Sequence, residues 1–343
     1  MNQTMDLHAP SDAVDAIVAA LLECGVVASE ADVRRVAPIS GGVSCDVYRV
    51  DLTDRTVCVK RALPRLRVAA VWEAPVERAA FEVLWLRKAQ ASGLSVPEVL
   101  AWLPERNMFV MQWFDPPAHP VWKAELLAGT VDTGFAAGVG AALAAIHNAT
   151  AFDDAVARDF ASDDLFRQLR ISPYLDASAA AHPDLAGRIG AIAARLAETR
   201  IALVHGDVSP KNILHGPQGP VILDAECAWY GDPAFDAAFC LTHLLLKSLQ
   251  RKSPAMLVAF DALAGAWLGA VRWEDPAALS RRTAPLLAAL LLARVDGKSP
   301  VEYLDDPARD FVRRFAREAL ASPVGDDADL ATLRRNWSQC MAA

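Results

Sequence analysis

Apolar residues recur at helical spacing over residues 14–22, and residues 1–37 read as a helical lead-in. The texture then changes. Residues 39–50 predict strand, glycine turn, strand, and residues 51–55 make a polar turn. Thr56-Val57-Cys58-Val59-Lys60 is a short β-rich run that ends on a lysine. Residues 76–91 are amphipathic and helical, and residues 97–103 and 108–113 read as two further strands. After Pro116-Pro117 the chain turns to Ala- and Leu-rich helix, with clear helices predicted over 131–147 and 186–199. Two short apolar strands, 201–204 and 221–223, flank a polar loop, and from Pro233 onward the pattern is helical. The prediction is an α+β chain in two lobes. Residues 1–113 form a small β-rich lobe with one main helix, and residues 114–343 form a larger, mostly helical lobe.

Composition narrows this picture. A length of 343 residues exceeds one ordinary core and fits two lobes. Lys and Arg number 34 against 42 Asp and Glu, a formal charge of -8, so the surface as a whole does not attract a nucleic-acid backbone. A local basic pocket for a small phosphorylated ligand stays compatible with that balance. The six cysteines, at 24, 45, 58, 227, 240 and 340, form no Cys-x-x-Cys pair and no cluster of zinc spacing, which predicts reduced thiols. The first ten residues lack a signal-peptide layout, and the apolar stretch 286–293 is too short to cross a bilayer. A cytoplasmic protein with neither membrane nor nucleic acid as partner is expected, and a homodimer is compatible with the sequence.

The chemistry concentrates in His205-Gly206-Asp207-Val208-Ser209-Pro210-Lys211-Asn212, displayed between two apolar strands. Asp207 and Asn212 have the Asp-x4-Asn spacing of a kinase catalytic loop, in which the Asp orients the attacking hydroxyl and the Asn binds magnesium. Asp224 follows at the end of Val221-Ile222-Leu223, where the second metal-binding acid of such a scheme belongs, and Glu226 offers another oxygen. Lys60 suits a lysine that pairs with α/β-phosphate oxygens, with Glu82 as the first choice of acid partner and Glu77 the second. The turn Ser40-Gly41-Gly42-Val43-Ser44 is shorter than a Gly-x-Gly-x-x-Gly loop. Its backbone N–H groups, at Gly41, Gly42 and Ser44, suit covering phosphates, and a plain hairpin turn fits it as well. His147 reads as a structural histidine, and Asp232 and Asp236 as residues that stabilise loops or a helix start.

Residues 205–214 and 221–239 resemble the aminoglycoside phosphotransferase and choline kinase superfamily, which has His-Gly-Asp where protein kinases have His-Arg-Asp. The resemblance implies a protein-kinase-like fold, ATP, magnesium, and an adenine slot against Met111-Gln112-Trp113-Phe114. Several stretches look most like methylthioribose kinases: Val59-Lys60-Arg61-Ala62-Leu63-Pro64, Glu77-Arg78-Ala79-Ala80-Phe81-Glu82, and Asp224-Ala225-Glu226. Ala293-Arg294-Val295-Asp296-Gly297 resembles a segment with paired arginines beside the sugar, of which Arg294 alone is present. Asn212 follows the aminoglycoside-kinase pattern instead. The implied activity is transfer of the γ-phosphate of ATP to a hydroxyl of a small molecule, first of all a sugar. An antibiotic O-phosphotransferase and a non-catalytic nucleotide-binding protein are the alternatives. A polycationic drug would call for an acidic patch, which Asp153, Asp154, Asp159, Asp163 and Asp164 are placed to supply.

Overall fold

The computed structural model describes residues 11–39, 44–65, 67, 74–321 and 328–342. The chain divides into two units, Met1–Gln90 with Val96–Asp115, and Ala91–Ser95 with Pro116–Ala343.

The first unit is built on an antiparallel sheet of β1 (Val33–Pro38), β2 (Cys45–Leu52), β3 (Thr56–Ala62), β4 (Val99–Leu103) and β5 (Met108–Gln112), in the order β1-β2-β3-β5-β4. Alternation along β3 separates two faces. Val57 and Val59 join Val50, Val110 and the apolar side of α1 (Ser11–Glu23) in one core, through Ile17 and Leu21. Lys60 belongs to the other set, with Cys58 and Ala62, and Ala62 packs against Ala79 of α2 (Arg78–Ala91).

The lead-in departs from the expectation. Among its described residues Ser11–Glu23 is α-helix, Glu30–Asp32 a single 3-10 turn, and Val33–Pro38 the edge strand β1. Gly25, at φ +69, ends the helix: a left-handed residue after the last turn suits glycine, and Val26 N–H returns to the Leu21 carbonyl at 3.0 Å. Val36 then pairs with Val50, while Arg34 and Arg35 lie exposed.

The second unit is mostly helical. It runs through α3 (Trp122–Ala128), α4 (Thr133–Thr150), α5 (Asp154–Asp159) and α6 (Asp163–Phe166). A π-helical stretch, Arg167–Asp176, leads into α7 (Ala177–Ala181) and α8 (Ala186–Glu198). Short strands β6 (Ala202–Val204), β7 (Ile213–Gly216), β8 (Gly219–Ile222) and β9 (Trp229–Gly231) follow. β6 pairs with β9 and β7 with β8, all antiparallel. The chain closes with α9 (Ala234–Arg251), α10 (Pro254–Ala270), α11 (Pro276–Asp296), α12 (Asp306–Ala321) and α13 (Leu330–Ala342). α9 is buried continuously from Ala234 to Ser248, as expected of a helix that is apolar on nearly every side. The apolar run of α11 is likewise core. Among the described residues no helix is long and apolar enough to cross a membrane.

Candidate functional site

The loop after β6 is fixed from below by a buried carboxylate. Asp236, in the first turn of α9, accepts hydrogen bonds from the backbone N–H of His205 at 2.8 Å and of Gly206 at 2.9 Å. His147 Nε2 lies 3.3 Å from the same carboxylate. Gly206 adopts φ +78, and a Cβ there would come within 2.5 Å of the Cys227 carbonyl oxygen, so the position requires glycine. His205 completes the turn. Its Nδ1 accepts the Asp207 N–H at 3.1 Å, which leaves Nε2–H to donate to the Leu223 carbonyl at 3.0 Å. That pattern belongs to a neutral imidazole, and burial holds its pKa below the ordinary histidine value against the pull of Asp236, Asp207 and Asp224.

Asp207 is the most heavily engaged acid of the loop. Its Oδ2 lies 3.1 Å from Arg170 Nη2 and 3.1 Å from Lys211 Nζ, and it accepts a hydrogen bond from Asn212 Nδ2 at 3.0 Å. Burial pushes this carboxyl up, but the charges of Lys211 and Arg170 outweigh it and hold the group below the usual carboxylate value. The carboxylate is therefore ionised at neutral pH. Arg170 is itself buried, donates to the Gly206 carbonyl, and lies between the rings of Tyr174 and Phe239, at 5.9 and 5.8 Å from their centroids. It sits in the π-helical stretch, a rare backbone form that recurs at functional sites.

Asn212 is oriented by two donations to Asp207, from Nδ2 to the carboxylate and to the backbone carbonyl, each 3.0 Å. Its Oδ1 is thereby turned to the acceptor role. Asp224 is set beside it in register, since Ile213 pairs with Ile222 and Leu223 N–H donates to the Asn212 carbonyl at 2.9 Å. Asp224 adopts φ 68, uncommon for a residue with a side chain, and Glu226 is buried two residues on. Among the described residues no group of three or more His, Cys, Asp or Glu forms a ready cage for a metal. A carboxylate and an amide oxygen do suit magnesium, which keeps waters and takes its remaining ligands from phosphate.

In the first unit, Lys60 and Glu82 form a buried ion pair, with Lys60 Nζ 2.8 and 2.7 Å from the two carboxylate oxygens. Both side chains are almost inaccessible, at 6 % and 2 %. Glu77 is exposed, so of the two acids it is Glu82 that meets the lysine. Gly41 and Gly42 lie outside the described residues. Ser44 is described, and its carbonyl accepts from Arg78, a buried arginine that also bonds the carbonyls of Leu63, Ala74 and Pro75. Gln112 is exposed at the end of β5, and Trp113, half-buried, has Arg49 5.5 Å from its ring centroid.

Arg294 lies on α11, with Nη1 3.2 Å from the Tyr174 hydroxyl and 3.1 Å from the Ser299 hydroxyl. The acids of the 153–164 segment are committed elsewhere or exposed. Asp153 caps α5, Asp163 bonds Trp229 Nε1 at 2.8 Å and pairs with Arg200, and Asp154, Asp159 and Asp164 are exposed. Sequence reasoning did not single out Arg170, Arg78 or Lys247. Each stands in a helical run, and its importance comes from partners distant in sequence. Asp236 was noted only as a stabiliser of a loop or helix start, and it does more by anchoring two loop amides.

A sequence profile of the phosphotransferase enzyme family matches residues 35–268. Methylthioribose kinase of Escherichia coli O45:K1 is 26 % identical over 250 residues, which cover 63 % of this chain and 58 % of that enzyme. The matched part thus spans less than two thirds of that curated relative. Ethanolamine kinase of Plasmodium vivax superposes with a TM-score of 0.56 at 10 % identity, covering 100 % of this chain and 92 % of that one. An amicoumacin kinase solved with AMP-PNP, Ca2+ and its antibiotic gives 0.55 at 15 % identity, covering 82 % and 87 %. These likenesses establish a protein-kinase-like fold. The profile takes in Lys60, Glu82, the loop from His205 to Asn212, Asp224 and Asp236, and this chain belongs to the phosphotransferase enzyme family.

Proposed function

We propose that this protein is an ATP-dependent kinase that phosphorylates a hydroxyl of a small molecule, a sugar or sugar-like alcohol. The observation that carries the reading is the state of Asp207: ionised, aimed by Arg170, Lys211 and Asn212, on a loop pinned by Asp236. In the proposed reaction, Asp207 orients the acceptor hydroxyl and takes its proton. The acceptor oxygen forms a bond to the γ-phosphorus, the bond from that phosphorus to the β–γ bridging oxygen breaks, and ADP leaves with the electron pair. Lys60, steadied by Glu82, engages the α- and β-phosphates, with the turn of Gly41, Gly42 and Ser44 and the segment at Gln112 and Trp113 as further nucleotide contacts.

Asn212 and Asp224, with Glu226 as the third candidate, are the residues that would hold magnesium. The ion would neutralise charge on the phosphate oxygens. Positioning and charge neutralisation supply most of the rate, because a loose transition state asks little covalent chemistry of the protein. Arg294 is assigned to acceptor binding. The commitment of Asp153 and Asp163 to a cap and an ion pair weighs against a polycationic antibiotic as acceptor.

The test is ADP release over a panel of alcohols, with Asp207→Asn as the control. Turnover in that variant should fall by about two to four orders of magnitude while nucleotide binding, followed calorimetrically, persists. Near-normal turnover would refute the assignment.

A further inference from the structure

The second unit buries basic side chains that no carboxylate among the described residues answers. Along α9, Asp236, His243 and Lys247 recur at intervals of seven and four residues, which sets them in one stripe. Asp236 serves the loop amides. His243 and Lys247 continue the stripe at 7 % and 1 % exposure. Lys247 Nζ lies 4.7 Å from the centroid of the Tyr303 ring and 3.5 Å from its hydroxyl, and it enters no ion pair among the described residues. The His243 ring meets the edge of Phe239, at 5.4 Å between centroids, and its nitrogens make no hydrogen bond among the described residues.

Arg294 approaches from α11. Among the described residues its side-chain hydrogen bonds reach the neutral hydroxyls of Tyr174 and Ser299, and its buried Nε has no partner. Glu302, an acid that acts on Lys247, is taken by Lys123 at 2.5 Å. The cluster also adjoins the loop chemistry. Tyr174 has Arg294 on its ring at 5.7 Å and Arg170 at 5.9 Å, and Arg170 holds Asp207.

A buried basic group with no acid beside it is driven toward its neutral form, and an anion from outside would restore its charge. We propose that Lys247, His243 and Arg294 form an anion subsite for the acceptor, so that the alcohol phosphorylated by this protein carries a carboxylate or phosphate group. The proposal rests on the phosphotransferase reading above and adds the acceptor's class to it.

The groups acting on Lys247 fit this. Burial drives its ammonium down to about 7, and Lys123 of α3 and Arg294 of α11 push the same way. Cys240 on its own helix and Glu302 oppose them only in part. Its neighbours Tyr303 and His243 bring no negative charge, burial holding the phenol protonated and the imidazole neutral. An anion arriving beside Lys247 raises its pKa, so binding takes up a proton above neutral pH.

The experiment uses the full chain with one carbon skeleton in three charge states: D-ribose, D-ribonate and ribose 5-phosphate. ADP release and acceptor binding without nucleotide, by calorimetry in two buffers of different ionisation enthalpy, are measured in parallel. The expected result is at least about a tenfold preference for one or both anionic probes, expressed in KM, with proton uptake at pH 8. The carboxylate and phosphate arms tell the two anions apart. Lys247→Met, which conserves volume, and Arg294→Gln, at a less buried site, should each reduce that preference at least severalfold.

Equal or better use of ribose, or anion preference unchanged in both folded variants, overturns the subsite while the kinase reading stands. Anion binding with no turnover of any alcohol keeps the subsite and overturns the kinase reading. Neither binding nor turnover of the anionic probes overturns the subsite.

Discussion

Arg170 Nη2 stands 3.1 Å from Asp207 Oδ2, and the same guanidinium donates to the Gly206 carbonyl, so one buried arginine fixes both the charge and the backbone of the loop. Arg170→Met should destabilise the fold by about 3–5 kcal/mol in urea unfolding, the usual cost of breaking a buried pair. It should also alter the pH profile. Burial raises the Asp207 carboxyl, and Lys211 and Arg170 lower it further than burial lifts it, so loss of the arginine moves its pKa up. The ionised form stabilises the fold above the ordinary carboxylate pKa, and that stability is lost as pH falls through the lower folded value. In the variant both the acid limb of kcat/KM and the acid unfolding transition should shift to higher pH. An unmoved acid limb would show that Arg170 does not set the charge of Asp207. Arg170→Lys should not restore the wild-type profile, because one ammonium cannot reproduce the planar fork.

The Lys60–Glu82 pair offers a second test. Glu82→Ala leaves a buried ammonium without its carboxylate and should cost about 3–5 kcal/mol in denaturant unfolding. Lys60→Met combined with Glu82→Leu should cost less than the sum of the single changes, because the double variant removes both charges together. Additive losses would mean that the pair is not coupled.

Gly206→Ala examines the loop without touching a charge. The added Cβ would meet the Cys227 carbonyl oxygen at 2.5 Å in a left-handed conformation. Backbone and Asp207 must shift together, so turnover should drop by at least about tenfold, while strain of about 1–2 kcal/mol lowers the melting temperature. Full activity in this variant would show that the loop tolerates movement.

Much of this loop was legible in the sequence, because its residues are local. Asp207, Asn212 and Asp224 fall on a spacing that two short strands enforce. Most strands were legible from β-rich or apolar runs, but β1, β7 and β9 were not: the Val-Arg-Arg-Val stretch of β1 lies between a helix and a strand in period, and β7 and β9 are only four and three residues long. Arg170, His243 and Lys247 were not legible. Arg170 gains its meaning from a loop far along the chain, and the two α9 residues lie in a helix so apolar that they pass for isolated interruptions of a core.

Lys247 also leaves a mark on stability itself. Its pKa is lowered to about 7 from 10.5, first by burial, so over that range the unfolded chain binds more protons than the folded one. The sign is that stability rises with pH from about 7 to about 10 for this residue. The gap in melting temperature between Lys247→Met and the native chain should therefore narrow as pH increases through that window. A gap that stays constant would place the ammonium in water.

α9 gives these separate facts a common geometry. Asp236, which holds the two loop amides, and Lys247, which the proposed subsite gives to the acceptor, are eleven residues apart on one helix, about 16 Å along its axis. A displacement of α9 along its axis is therefore felt at the loop and at the buried lysine together.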